Sequence, residues 1–419
     1  MLRITIVYAG KIGGVLVAFF FLPWYSHALD SEQFGLVAVV ISLHALSLLF
    51  DLGLGTLISR DFAANEVGAN SLGSMMRSAE ALMSGFYACV LALVSCAQLL
   101  GSFSAVGFSV TTSAVLFFWL SALQNLYYSA LMARGVLVST TVVQLIGTLA
   151  RACATLFALK YYSATVGTFV VSQLVVALIH CLVCRVYLWA HLPHESELRH
   201  VTAHSSWAEC VGLLKRGRPL LVTGFAGAAA MQLDKPIMSL FLPVADIGPY
   251  FLSVTLSAAP VALLASPWTY YFQPRITNAV ARNHVSTIRR EMMRFMMVFV
   301  LFVGVPVAAM FALLPQIVEV WLASSNSGEV VVRYSRILLV GYGVSAFAII
   351  PFVLIVARQD YLFQARISVA STFFLLLMVT YSAHQKNVYA ICFAYVVYFS
   401  MVAASFLWRT RLAIFRQTR

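Results

Sequence analysis

The sequence predicts an all-α polytopic membrane protein, and three observations carry that prediction. Of 419 residues, 61% are hydrophobic and only 10% are charged, where a soluble domain carries ~25% charge. Mean hydropathy is +0.90, more apolar surface than a water-soluble chain of this size can bury. The apolar residues fall into about twelve runs, each near the ~20 residues that one membrane-crossing helix requires. Helices are expected rather than barrel strands, because the runs are long and uniformly apolar and a helix satisfies its own backbone polar groups.

The runs lie at about 4–24, 34–57, 80–101, 110–132, 136–159, 164–188, 219–242, 249–273, 293–315, 336–357, 367–384 and 387–408. The first mimics a signal peptide, with Arg3, apolar 12–24 and then Ser26-His27-Ala28. With eleven further spans behind it, an uncleaved first helix is expected. The first and second spans are joined through Leu29-Asp30-Ser31-Glu32-Gln33, and the seventh and eighth through Val244-Ala245-Asp246-Ile247. Each hairpin carries an acid ahead of a glycine, Gly35 or Gly248.

The longest polar stretch, about 189–218, separates six spans from six and holds His191, His194, His200 and His204. No acidic or cysteine partner stands at ligand spacing, so it reads as a solvated linker and no metal site is expected. The expected organisation is an N-terminal six-helix lobe over 1–190, a cytoplasmic linker over 191–217, and a C-terminal six-helix lobe with a short cytoplasmic tail over 218–419. The even split and repeated hairpins suggest two related bundles with pseudo-two-fold symmetry around a central cleft.

The charge balance is +12, from 27 Lys+Arg against 15 Asp+Glu. In a membrane protein such an excess follows the positive-inside rule and implies no nucleic acid. With both termini inside, 20 of the 27 basic residues fall on the cytoplasmic side, and Lys160, Arg333, Arg336 and Lys386 fall outside. Of the seven cysteines, six lie in predicted spans, so no disulfide framework is expected.

Charge inside a span costs at least ~2.5–3.5 kcal/mol and marks a candidate functional site. Span 1 carries Lys11, span 2 His44 and Asp51, span 5 Gln144 and Arg151, span 6 Gln173 and His180, and span 7 Gln232, Asp234 and Lys235. His44/Asp51, Gln144/Arg151 and Gln173/His180 are each seven residues apart, nearly two helical turns, so each pair shares a face. Facing each other, these stripes would line a hydrophilic cleft. Asp234 and Lys235 project ~100° apart and are not expected to neutralise each other; Pro236 behind them is expected to kink the helix. Span 8 ends Pro267-Trp268-Thr269-Tyr270-Tyr271-Phe272-Gln273-Pro274-Arg275. There Trp268, Tyr271 and Arg275 share a face that suits a sugar–phosphate headgroup or an interfacial belt. The stretch Ala281–Phe295, with Arg282, Arg289, Arg290 and Arg294, reads as an amphipathic helix against anionic membrane lipids. Gly10 and Gly14 form a GxxxG for close helix packing.

The run Phe34-Gly35-Leu36, through Leu49-Phe50-Asp51-Leu52-Gly53-Leu54-Gly55 to Ser59-Arg60-Asp61, resembles the start of Wzx-type polysaccharide flippases. Met231-Gln232-Leu233-Asp234-Lys235 with Gly248-Pro249-Tyr250, and Pro267 to Gln273-Pro274-Arg275, are similar to the seventh and eighth helices of that family. The resemblance runs from span 1 to span 12. It implies the multidrug/oligosaccharidyl-lipid/polysaccharide exporter superfamily, a bacterial inner membrane and alternating access. It also implies undecaprenyl-diphosphate-linked oligosaccharide repeat units, of the O-antigen kind, as substrate, with a polysaccharide polymerase and a chain-length regulator as partners. Carried over, Lys11, Arg151, Lys235, Gln144, Arg275 and Tyr271 would bind substrate. Asp234, Asp51, His44 and His180 would serve ion coupling or gating, with Na+ or H+ as the ion and no other cofactor.

Two other classes compete with this reading. A drug or cation exporter of the MATE kind would want intramembrane acids, and here bases outnumber them. A membrane-bound polysaccharide polymerase or ligase would need a large external loop, and the longest external segment is about 316–335. No GxxxxGK[ST], HExxH or GxSxG motif occurs.

Overall fold

The computed structural model describes residues 2–49, 53–64, 69–99, 107–191, 210–213, 227–282, 284–323 and 327–415. The described chain is helical, as an apolar chain without water must be if its backbone groups are to find partners. Ten helices among the described residues are long and apolar enough to cross a membrane. With the shorter apolar Ile12–Ala28 and a broken seventh helix, they account for the twelve predicted spans. The protein is a multi-pass membrane protein of the all-α class.

The chain divides into two compact units, Met1–Ala228 and Ala229–Arg419. Most of the predicted linker lies outside the described residues.

The first unit contains α1 (Leu2–Ala28), α2 (Ser31–Leu49), α3 (Leu54–Ala64), α4 (Ala69–Leu99), α5 (Phe108–Ala133), α6 (Leu137–Tyr161) and α7 (Val166–His191). Span 2, read as one helix over 34–57, is interrupted at Gly53, with α2 described to Leu49 and α3 starting at Leu54. Gly53 between them takes φ +71°, a left-handed conformation that costs glycine least. Helix α5 packs on α7, α4 and α3, while α6 packs on α1 and α7. The core joins Leu54, Ile58 and Phe62 to Met76, Met83, Leu126, Tyr127, Ala177 and Leu188. Asp30 caps α2, its Oδ1 accepting from the Gln33 backbone N–H at 2.7 Å, and Gln33 Oε1 accepts from the Val166 N–H at 2.8 Å. One polar hairpin therefore holds the starts of two helices. The α1–α6 approach uses Gly10 and Gly13 rather than Gly10 and Gly14. A Cβ at Gly10 would collide with Thr141 and one at Gly13 with Leu145, whereas one at Gly14 would meet nothing within 4 Å.

The second unit contains the 229–232 part of a helical turn that starts at 227, α8 (Asp234–Phe241), α9 (Ile247–Ala281), α10 (Val285–Phe299), a π-helical turn at Val300–Gly304, α11 (Val305–Ala312), α12 (Leu314–Leu322), α13 (Gly328–Ala357), α14 (Tyr361–His384) and α15 (Val388–Phe415). The segment about 316–335, predicted to be external, is mostly α12 and the start of α13. Helix α13 is central, packed on α9 and α15. Ser253 and Ser257 of α9 donate to the carbonyls of Val331 and Ser335 at 3.2 and 3.4 Å. Both pairs are one turn apart, so small residues let the two backbones approach closely. Helix α9 spans 35 residues, about 52 Å at ~1.5 Å per residue. That exceeds a ~30 Å hydrocarbon core, so its Tyr271–Arg275 end reaches an interface. Helix α10 is amphipathic as expected, with Ile288, Phe295 and Phe299 buried and Arg289, Arg290 and Arg294 exposed. It runs through the π-helical turn into the ninth span instead of ending before it.

Candidate functional site

Among the described residues of the first unit, Gln124, Phe117, His44, Tyr25 and His180 gather around Arg151. Arg151 Nη2 donates to Gln124 Oε1 of α5 at 3.0 Å, and Gln124 Nε2 donates to the Ala177 carbonyl of α7 at 2.7 Å. The guanidinium carbon lies 5.4 Å from the Phe117 ring centroid, and the His44 imidazole stacks on Phe117 at 4.3 Å. The Tyr25 hydroxyl of α1 donates to the carbonyl of the neighbouring Ala152 at 3.1 Å. One residue on α6 is thus framed by α1, α2, α5 and α7. Arg151 Nε and His44 Nε2 are buried and have no hydrogen-bond partner among the described residues. An N–H of a desolvated guanidinium left unspent in an apolar interior is a preformed anion donor.

His180 belongs to the same cluster. Its Nε2 and the Tyr128 hydroxyl are 2.5 Å apart, and its ring occupies the space that a Cβ at Gly147 of α6 would fill. Gln173, two turns before it, donates to Thr155 Oγ1 at 3.0 Å. The α7 stripe therefore interlocks with α5 and α6 inside the unit rather than standing open. Gly147→Ala is expected to push His180 off Tyr128 and to cost ~1–3 kcal/mol, as overpacking does. Thermal unfolding of the purified protein should show that loss. It should be largely relieved when His180→Ala is added.

Gln144 does not join the cluster: it is exposed on α6. Its shared face with Arg151 holds, but two turns of rise separate them, and the amide at Arg151 is that of Gln124. The Lys11 side chain and all of Asp51 lie outside the described residues.

The second unit holds a separate network. Lys235 Nζ and Asp234 Oδ1 form an ion pair at 2.9 Å with side chains 2% and 1% exposed. Tyr250 donates to Asp234 Oδ2 at 2.7 Å, and Lys235 also reaches the Met231 carbonyl at 3.4 Å. Tyr395, beside the same carboxylate, donates to the Ala230 carbonyl at 3.0 Å. The expectation that Asp234 and Lys235 cannot neutralise each other is wrong. Their Cβ directions diverge, but the helix bends at Leu233 and α8 begins at Asp234. The lysine stem therefore folds back over a helix end instead of along a helix side. The expected kink is present; Pro236 has no N–H for the Gln232 carbonyl, and in the first turn of α8 it needs none.

Arg275 lies over Tyr271, its guanidinium carbon 4.0 Å from the ring centroid, and both side chains are exposed. This cation–π pair is two of the three residues of the shared face predicted for the end of span 8; the third, Trp268, packs on Phe302 with ring centroids 4.8 Å apart.

Sequence reasoning missed Gln124, Phe117 and Tyr128 on α5, and Tyr250 and Tyr395 in the second unit. Gln124 was findable, being a polar side chain in a span as apolar as those searched. The aromatic residues carry no such signal, since only their neighbours make them polar partners.

The model of a family described as polysaccharide biosynthesis protein matches residues 3–280. No curated protein relative matches in sequence. The structure superposes on the lipid II flippase MurJ, in an inward closed conformation, with a TM-score of 0.77 at 10% identity, covering 98% of this chain and 87% of that one. An inward-facing multidrug resistance MATE family transporter of the MOP superfamily gives 0.69 at 12% identity, covering 98% and 95%. A MOP superfamily transporter from Pyrococcus furiosus gives 0.61 at 13% identity, covering 100% and 96%. At these identities the likeness establishes the fold, that of the MOP superfamily.

Proposed function

The chain belongs to the polysaccharide biosynthesis protein family, and from that premise we propose that it is a flippase for undecaprenyl-diphosphate-linked oligosaccharide repeat units. It would carry them from the inner to the outer leaflet of a bacterial inner membrane by alternating access, coupled to a Na+ or H+ gradient, with both termini cytoplasmic. The observation that carries this reading is Arg151, a cation inside the membrane with an unspent, buried N–H. A diphosphate is the anionic part of such a substrate, and charge-assisted hydrogen bonds from arginine suit it. Tyr271 and Arg275 at the end of α9 supply an aromatic and cationic pair for the sugar or phosphate at the interface. Lys11, Gln144 and Lys235 complete the proposed substrate set. Lys235 must first leave Asp234, which makes that pair the proposed gate and Asp234 the proposed coupling acid together with Asp51, His44 and His180. A polymerase and a chain-length regulator are the proposed partners.

A cation exporter is the less favoured reading, because Asp234, the acid that a cation would need, is already bound to Lys235 and Tyr250. The test is complementation of a flippase-deleted host carrying the matching glycan gene cluster, scored by surface glycan. Restoration by the wild-type chain is expected. Failure there, together with resistance to organic cations on expression, would replace the flippase reading with the exporter.

A further inference from the structure

The second unit has an apolar groove of about 510 Å³ between α10, α13 and α15. Met292 and Met296 line one wall, Phe347, Pro351 and Leu354 the second, and Leu407 the third, with Gly343 and Ala403 making the recess. From Gly343 to Leu354 is eleven residues, about 16 Å at ~1.5 Å rise. That is the depth of one leaflet of a ~30 Å hydrocarbon core.

Each wall continues, at the same end, into an arginine. Arg289 lies three and seven residues before Met292 and Met296. Arg358 lies four residues after Leu354 and seven after Pro351, and Arg411 four after Leu407. Spacings of three, four and seven share a helix face. Helix α10 rises from this end while α13 and α15 descend to it, so the three arginines gather at one mouth. Arg289 and Arg411 are exposed and pair with no acid among the described residues. Arg409 nearby is already held by Asp360 at 2.7 Å. Arg358, just past the end of α13, is half-buried.

We propose that this groove is a binding site for one anionic phospholipid, its acyl chain between α10, α13 and α15 and its phosphate at Arg289, Arg358 and Arg411. The proposal is independent of the flippase reading. An apolar slot of leaflet depth capped by three cations matches a lipid with one negative headgroup, and basic pockets between transmembrane helices bind such headgroups. A zwitterionic lipid would gain the slot without the charge.

Native mass spectrometry of the delipidated full chain, equilibrated with equal phosphatidylglycerol and phosphatidylcholine, tests this. Wild type should retain phosphatidylglycerol roughly a hundred-fold over phosphatidylcholine, since each of the three arginines near the headgroup contributes about five-fold and the factors multiply. The triple variant R289Q/R358Q/R411Q should lose that preference while keeping the phosphatidylcholine adduct. Ala403→Phe, which fills the slot, should reduce both adducts. Arg366→Gln, on a helix that does not line the groove, should change neither. Equal retention of the two lipids by wild type, or undiminished phosphatidylglycerol on both the triple variant and Ala403→Phe, would overturn the proposal. So would displacement of phosphatidylglycerol by undecaprenyl phosphate at equal concentration, which would assign the slot to a polyprenyl tail.

Discussion

Arg151→Ala is expected to abolish surface glycan in a flippase-deleted host at membrane expression matched to wild type. Removing a buried, hydrogen-bonded charge from a charged ligand costs ~2 kcal/mol or more, roughly 30-fold in affinity. Arg151 is the cation that α5, α6 and α7 jointly hold in place. Arg151→Lys should fall between, because a lysine keeps the charge but loses the planar fork that reaches Gln124 while presenting Nε. Gln124→Ala separates placement from charge. It leaves the guanidinium unanchored, so glycan should drop while the chain still folds. Full glycan from Arg151→Ala would leave the flippase reading standing and remove Arg151 from the site.

Breaking the Asp234–Lys235 pair is expected to give the largest stability loss. Asp234→Asn or Lys235→Met alone leaves one charge buried without a counter-charge, at a cost of ~3–5 kcal/mol. The double variant D234N/K235M removes both charges and leaves an amide oxygen for Tyr250. It should recover to within ~1–2 kcal/mol of wild type, since replacing a whole buried pair is often neutral. Thermal unfolding in one detergent, read as a double-mutant cycle, gives the coupling directly. A cycle that closes to zero would show that the contact contributes nothing. Surface glycan then separates structure from coupling. The refolded double variant should still translocate poorly, because a site without charge cannot exchange Na+ or H+ for lysine. Full translocation by the double variant would make the pair structural only.

Much of this protein was legible in its sequence, for a reason particular to membranes. Lipid offers the backbone no hydrogen bonds, so twelve apolar runs can become only helices. Each predicted run falls on an observed helix or pair of helices, with span 2 split at Gly53, span 7 broken at Leu233, α10 merging with the ninth span, and several helices extending beyond their apolar runs. The same cost of charge in lipid made Arg151, His44, His180, Asp234 and Lys235 visible as unusual residues.

What those residues touch was decided by the tertiary structure. A seven-residue spacing places Gln144 and Arg151 on one face, but Gln144 is exposed and the packing of α5 on α7 supplies Gln124 as the partner of Arg151. Adjacent Asp234 and Lys235 diverge on an ideal helix, but a bend at Leu233 turns the lysine back onto its neighbour. Gly147 carries no polar signal, yet its missing Cβ is what seats His180. Period and hydropathy determine a helix and its faces because they are properties of one segment. Partners are set by the side chains of other helices, tens of residues away, and only the folded chain brings those together.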